Sequence, residues 1–148
     1  MNKRPAIKRI FLLLPLLIVT FCNISYADNQ SNIEIESFWV VLPPAVARST
    51  AAYGIIRNTG ESSDTLLDIR SDAGSVMLHK TAIESGMAHM FHMTNSVIKA
   101  HSELRLEPMS FHLMFTDLCP LVFIGGGTVT LWFEFENAGV IELKVPIR

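Results

Sequence analysis

From residue 33 onward, apolar and polar positions alternate in short runs separated by turn residues. Residues 33–41 carry Ile33, Ile35, Trp39 and Val41 before Pro43-Pro44 stops the run. Residues 51–58 hold Tyr53, Ile55 and Ile56 and close at Asn58-Thr59-Gly60. Runs follow at 65–70, at 75–83 (ended by Ser85-Gly86), at 104–107 (stopped by Pro108) and at 111–115. After Gly125-Gly126-Gly127, residues 128–136 alternate most cleanly. Val129, Leu131, Phe133 and Phe135 face one way, with Thr128, Thr130 and Glu134 the other. Asn137-Ala138-Gly139 then turns into 140–147. A period of two marks strands with one face in a core. No long stretch has apolar residues at helical spacing. Seven or eight such strands predict an all-β, antiparallel β-sandwich. Residues 28–32 are expected to be a loose N-terminal tail.

The start of the chain breaks this pattern. Lys3, Arg4, Lys8 and Arg9 precede an apolar run over 10–21, and Ser25 and Ala27 put small residues at the −3 and −1 positions of a cleavage site. This reads as a secretory signal over 1–27, leaving one domain over 28–148. The run is short of the roughly 20 apolar residues of a membrane span. A lipoprotein signal ending at Cys22 is disfavoured by the bulky Phe21 before it. Cleavage removes four basic residues, so fourteen acidic against eight basic give the mature chain a charge near −6. That charge and the lack of a Lys/Arg cluster exclude basic-patch nucleic-acid binding. No second run of membrane length follows, so the mature chain is expected to be exported, soluble and monomeric, with no stable membrane insertion. Cys119 is then its one cysteine, which excludes an internal disulfide.

The candidate chemistry is a set of soft, neutral donors: His79, Met90, His112 and Met114. In the 111–115 strand, Phe111, Leu113 and Phe115 form the natural core side, so His112 and Met114 project together from the other face. In 75–83, Met77 and His79 lie opposite Val76 and Leu78. Two imidazoles and two thioethers suit monovalent copper better than zinc, calcium or magnesium. Thioethers cannot be lost to disulfides in an oxidising compartment, and imidazole makes affinity fall in acid. Met87, His89, His92 and Met93 compete with or supplement Met90 on chemistry alone and leave room for a second copper ion. Cys119 reads as a buried small residue, an extra thiolate ligand or a redox-sensitive thiol. His101 reads as a surface residue and Met109 as a hydrophobic rim. No Ser/His/Asp set or paired-carboxylate motif is legible, so no enzyme is expected.

The spacing of His79, ten residues, Met90, twenty-one residues and His112-x-Met114 resembles the signature of the periplasmic copper chaperones called PCu(A)C. The resemblance extends to Ala51-Ala52-Tyr53, Asn58-Thr59-Gly60, Asp64-Thr65-Leu66-Leu67, Leu118-Cys119-Pro120-Leu121 and the closing stretch around Ala138-Gly139-Val140. It covers about residues 33–148. It implies a cupredoxin-like, Greek-key β-sandwich with a shallow, exposed copper(I) site in the periplasm. It further implies delivery of copper to the copper centres of a haem-copper (cytochrome c) oxidase, often beside a thioredoxin-like assembly factor. Two positions depart from the pattern. Met109-Ser110 stand where glycines are common, and Cys119 stands where a basic residue is common. Copper buffering or resistance uses the same ligands and is the first alternative. A non-metal structural sandwich is the second. An electron-transfer cupredoxin wants a Cys thiolate beside two His, and no His follows Cys119 within its loop.

Overall fold

The computed structural model describes residues 30–148, and the expected signal over 1–27 lies outside them. Ten strands are present: β1 (Ile33–Val40), β2 (Ser49–Asn58), β3 (Asp64–Ser71), β4 (Ser75–Glu84), β5 (Met87–His92), β6 (Ser96–Ile98), β7 (Ser102–Leu106), β8 (Phe111–Thr116), β9 (Thr128–Phe135) and β10 (Gly139–Pro146). There is no helix among the described residues, and therefore none there long and apolar enough to cross a membrane.

The strands form two sheets, ordered β1-β2-β7-β8-β4-β5 and β10-β9-β3-β6. Neighbours run antiparallel, apart from a parallel contact where Leu106 meets Phe111, and a parallel bridge joins Val40 to Ile147. Inward residues of both sheets make one core. Val40, Ile56, Leu113 and Phe115 meet Val129, Leu131, Phe133 and Val145, all fully buried. The alternation seen in 128–136 is the burial pattern of β9, in which each second residue is enclosed.

Eight of the ten strands coincide with the alternating runs. The other two, β5 and β6, carry little of the burial signal. Every residue of β5 is exposed, so no core selects its alternation, and β6 has three residues.

The segment before β1 is not a loose tail where it is described. Ser31 Oγ donates to the Asp64 carboxylate at 2.6 Å, and Asn32 Nδ2 donates to Thr59 Oγ1 at 2.7 Å. A Cβ on Gly60 would collide with the backbone of Gln30 and Asn32, so only glycine lets that segment lie so close. Buried Asn58 at the end of β2 and buried Asp64 at the start of β3 recruit these residues, a signal that hydropathy does not carry.

Candidate metal centre

Strand register gathers the donor residues. In β4 and β8, Leu78 lies opposite Leu113 and Val76 opposite Phe115, which puts the core on one face. On the other face His79 lies opposite His112 and Met77 opposite Met114. Directly opposed residues share a face of the sheet with their Cβ atoms about 5 Å apart. The β4–β5 pairing adds His92 opposite His79 and Met90 opposite Thr81. The outer face of the six-stranded sheet therefore carries three rungs: Met114 with Met77, then His112 with His79 and His92, then Thr81 with Met90.

The imidazole rung is compact. The His79 ring centroid lies 5.9 Å from that of His112 and 5.7 Å from that of His92. Metal–nitrogen bonds of about 2 Å place the rings of two ligands on one ion roughly 5–6 Å apart, so either pair is spaced for shared binding. Among the described residues no group of three or more His, Cys, Asp or Glu side chains is gathered to hold a metal ion. The three imidazoles make a row rather than a cage, and thioethers must complete any site.

The ring nitrogens are set up for binding. His112 Nδ1 lies 3.2 Å from the Ser110 carbonyl oxygen. A carbonyl only accepts, so the proton sits on Nδ1 and the lone pair on Nε2 is free. His79 Nδ1 is buried with no hydrogen-bond partner. Such an orphaned group costs free energy, and a bound metal at that nitrogen would relieve it. Burial, then the charges of His112 and His92, hold the His79 pKa below its ordinary 6.5. Its neutral, ligating form is therefore favoured.

The four expected ligands differ in access. His112, expected to project away from the core, does so but is enclosed, with 8% of its surface exposed. His79 and Met114 are half-buried. Met90 is 61% exposed on the β4–β5 hairpin. The cluster around Met90 is divided by strand phase. Only His92 shares its face; Met87, His89 and Phe91 lie on the other. Met93 packs against the core, its N–H donating to the Leu78 carbonyl. Met77 was not singled out by sequence as a donor, although its shared face with His79 was visible. Its place opposite Met114 needs the β4–β8 register.

The remaining candidates lie elsewhere. Cys119 is free and half-buried. Its N–H donates to the Ala73 carbonyl, beyond the Ser75 end of β4. Ser75 is four strand residues, about 13 Å, from His79, which separates the thiol from the imidazole rung. His101 is exposed and 3.2 Å from Glu61. Met109, 65% exposed, sits in the turn before β8.

Residues 33–147 match the family described as "Putative lipoprotein LpqE-like". A relative from Leifsonia xyli subsp. xyli (strain CTCB07), named "Putative lipoprotein Lxx21020", is 28% identical over 123 residues, covering 81% of this chain and 72% of the relative. The copper-bound PCuAC domain from PmoF2 superposes with a TM-score of 0.65 at 19% identity, covering 78% of this chain and 92% of that one. The copper(I) form of DR1885 from Deinococcus radiodurans gives a TM-score of 0.61 at 25% identity over 76% of this chain and 75% of that one. Matched across nearly all of the described sandwich, the chain belongs to the LpqE-like family and has the cupredoxin-like β-sandwich fold of PCuAC domains.

Proposed function

We propose that the protein is an exported copper(I) carrier that binds the ion through His79, Met90, His112 and Met114. It hands the ion by ligand exchange to the copper centres of a haem-copper oxidase in the periplasm. The observation that carries this reading is His79, in register with His112, with its buried Nδ1 unpaired on a face that also presents the thioethers of Met77, Met90 and Met114. Neutral thioethers and imidazoles stabilise monovalent copper without adding charge. The exposed Met90 gives an acceptor a ligand to displace, while the enclosed His112 keeps the ion from water. Two solved relatives of the fold hold copper, one of them as copper(I).

Anaerobic copper(I) titration with X-ray absorption on the mature protein tests the site. One ion with nitrogen and sulfur scattering is expected, unchanged in Cys119→Ser. Unaltered binding in a His112→Ala, Met114→Ala double variant would remove the assignment. Loss of oxidase activity in a deletion strain, restored by added copper, supports delivery; copper sensitivity with normal oxidase supports buffering instead.

A second reading of its location follows from the lipoprotein names of the family and the relative. Cys22 offers a lipid-attachment point, against which Phe21 stands. Mass spectrometry of the mature N-terminus decides: a chain beginning at Asp28 is released, and an acylated Cys22 is anchored.

A further inference from the structure

His79 stands between two imidazoles, and the sheet treats them differently. His112, on the inner strand β8, is enclosed. His92, on the edge strand β5, is exposed along with every residue of that strand. The strands that carry the two outer rings, β8 and β5, are two strand spacings, about 9.5 Å, apart with His79 between them, too far for the outer rings to share one ion with bonds of about 2 Å. Each is nevertheless close enough to share an ion with His79. A thioether accompanies each pair: Met90 shares the face of His92 on β5, and Met114 that of His112 on β8.

Resting on the copper(I) reading above, we propose that His92 is a solvent-side copper ligand that shares His79 with His112. Copper is taken up on His79, His92 and Met90, then crosses to His79, Met90, His112 and Met114, and leaves by the reverse path. In the crossing the bond from copper to His92 breaks as the bonds to His112 and Met114 form, and Met90 stays bound. His79 also stays attached, the ion stays monovalent and no electron moves. Keeping these ligands bound throughout avoids releasing the ion to water. The exposed β4–β5 hairpin presents Met90 and His92 to whatever donates or accepts copper.

The test uses copper(I) alone, added anaerobically to wild type, His92→Ala, His112→Ala and the double variant. In the His112→Ala background copper is expected to be retained, with the His92 ring resonances shifting on binding. Adding His92→Ala there should weaken binding by about tenfold or more. A change under about twofold in that background, or His92 resonances unmoved by copper there, would overturn the proposal. His112→Gln replaces His112→Ala if the enclosed position does not tolerate truncation. If wild type itself takes up no copper(I), the functional reading falls. If wild type binds and His92 is silent, only the present proposal does.

Discussion

His79 carries the most consequences of any single residue. Its partial burial beside two other imidazoles lowers its affinity for protons, so protons compete less with a metal there than at a free imidazole. The same shift couples to stability. With the folded pKa below 6.5, the unfolded chain takes up a proton first as pH falls. The contribution of neutral His79 is therefore complete above pH 6.5 and is lost as pH falls from there through the lowered folded value. Urea unfolding of the metal-free protein across that window should show a slope that His79→Gln lacks. Met77 gives a second expectation at this scale. It lies opposite Met114 and is half-buried, so Met77→Leu should cost under about 1.5 kcal/mol in stability. Because the thioether is lost, copper(I) affinity should fall by a larger factor than in Met109→Leu, where the turn position is remote from the rung. Equal affinities in the two variants would remove Met77 from the donor set.

At the scale of elements, the β4–β5 hairpin decides whether Met90 and His92 reach the site face. Its turn has Ser85 at φ 52° and Gly86 at φ 79°, the geometry in which Ser-Gly joins two strands with the favoured twist. A one-residue slip would send Met90 and His92 to the opposite face. A Cβ at Gly86 meets nothing within 4 Å, so Gly86→Ala costs only the left-handed backbone, about 1 kcal/mol. Since β5 buries no side chain, that cost should appear as faster amide exchange along β5 and weaker copper binding, with the global unfolding midpoint nearly unmoved. The hairpin also shows where sequence was and was not informative. Strands with a buried face, such as β9, announce themselves by alternation, and His112-x-Met114 could be phased from the aromatic residues beside it. β5 lacks such a face: period two already puts Met90 with His92, but which side of the sheet they take, and the place of His92 opposite His79, required the pairing to β4. The enclosure of His112 was equally invisible, because burial on the outer face depends on neighbours far along the chain. Ser31 was missed for a related reason: a polar residue is drawn in by a carboxylate thirty-three positions away.

For the molecule as a whole, that carboxylate and one amide tie distant parts together, well away from the donor face. Asp64, 1% exposed, accepts hydrogen bonds from Ser31 Oγ, from the N–H of Thr65 and from the N–H groups of Asn137 and Ala138 in the β9–β10 turn. Asn58, fully buried, donates to the Ser62 and Ile98 carbonyls and accepts from the N–H groups of Asn32 and Gly60, joining β2 to β6 in the other sheet. Met114 pairs with Ala51, and seven strand residues, about 23 Å, separate Ala51 from Asn58. Stability and copper affinity should therefore be separable. Burial alone would raise the pKa of Asp64, but the four donors outweigh it and leave the folded value below 3.8. Between those two values the unfolded chain binds the proton that the fold refuses, so stability rises with pH. The contribution of the carboxylate is complete above pH 3.8 and is lost as pH falls through the lowered folded value. Asp64→Asn keeps the shape but removes the charge and turns a donor toward donors, which should cost about 2–4 kcal/mol at neutral pH. It should also flatten the acid limb of the stability curve, while anaerobic copper(I) affinity stays within about twofold of wild type because sites this far apart act independently. Denaturant titrations across the acid range, with copper(I) competition at neutral pH, measure both. An acid limb that keeps its wild-type slope in Asp64→Asn would move the responsible group elsewhere. A matched loss of copper affinity would mean that the clamp at the end of β2 and the histidine row share one cooperative element.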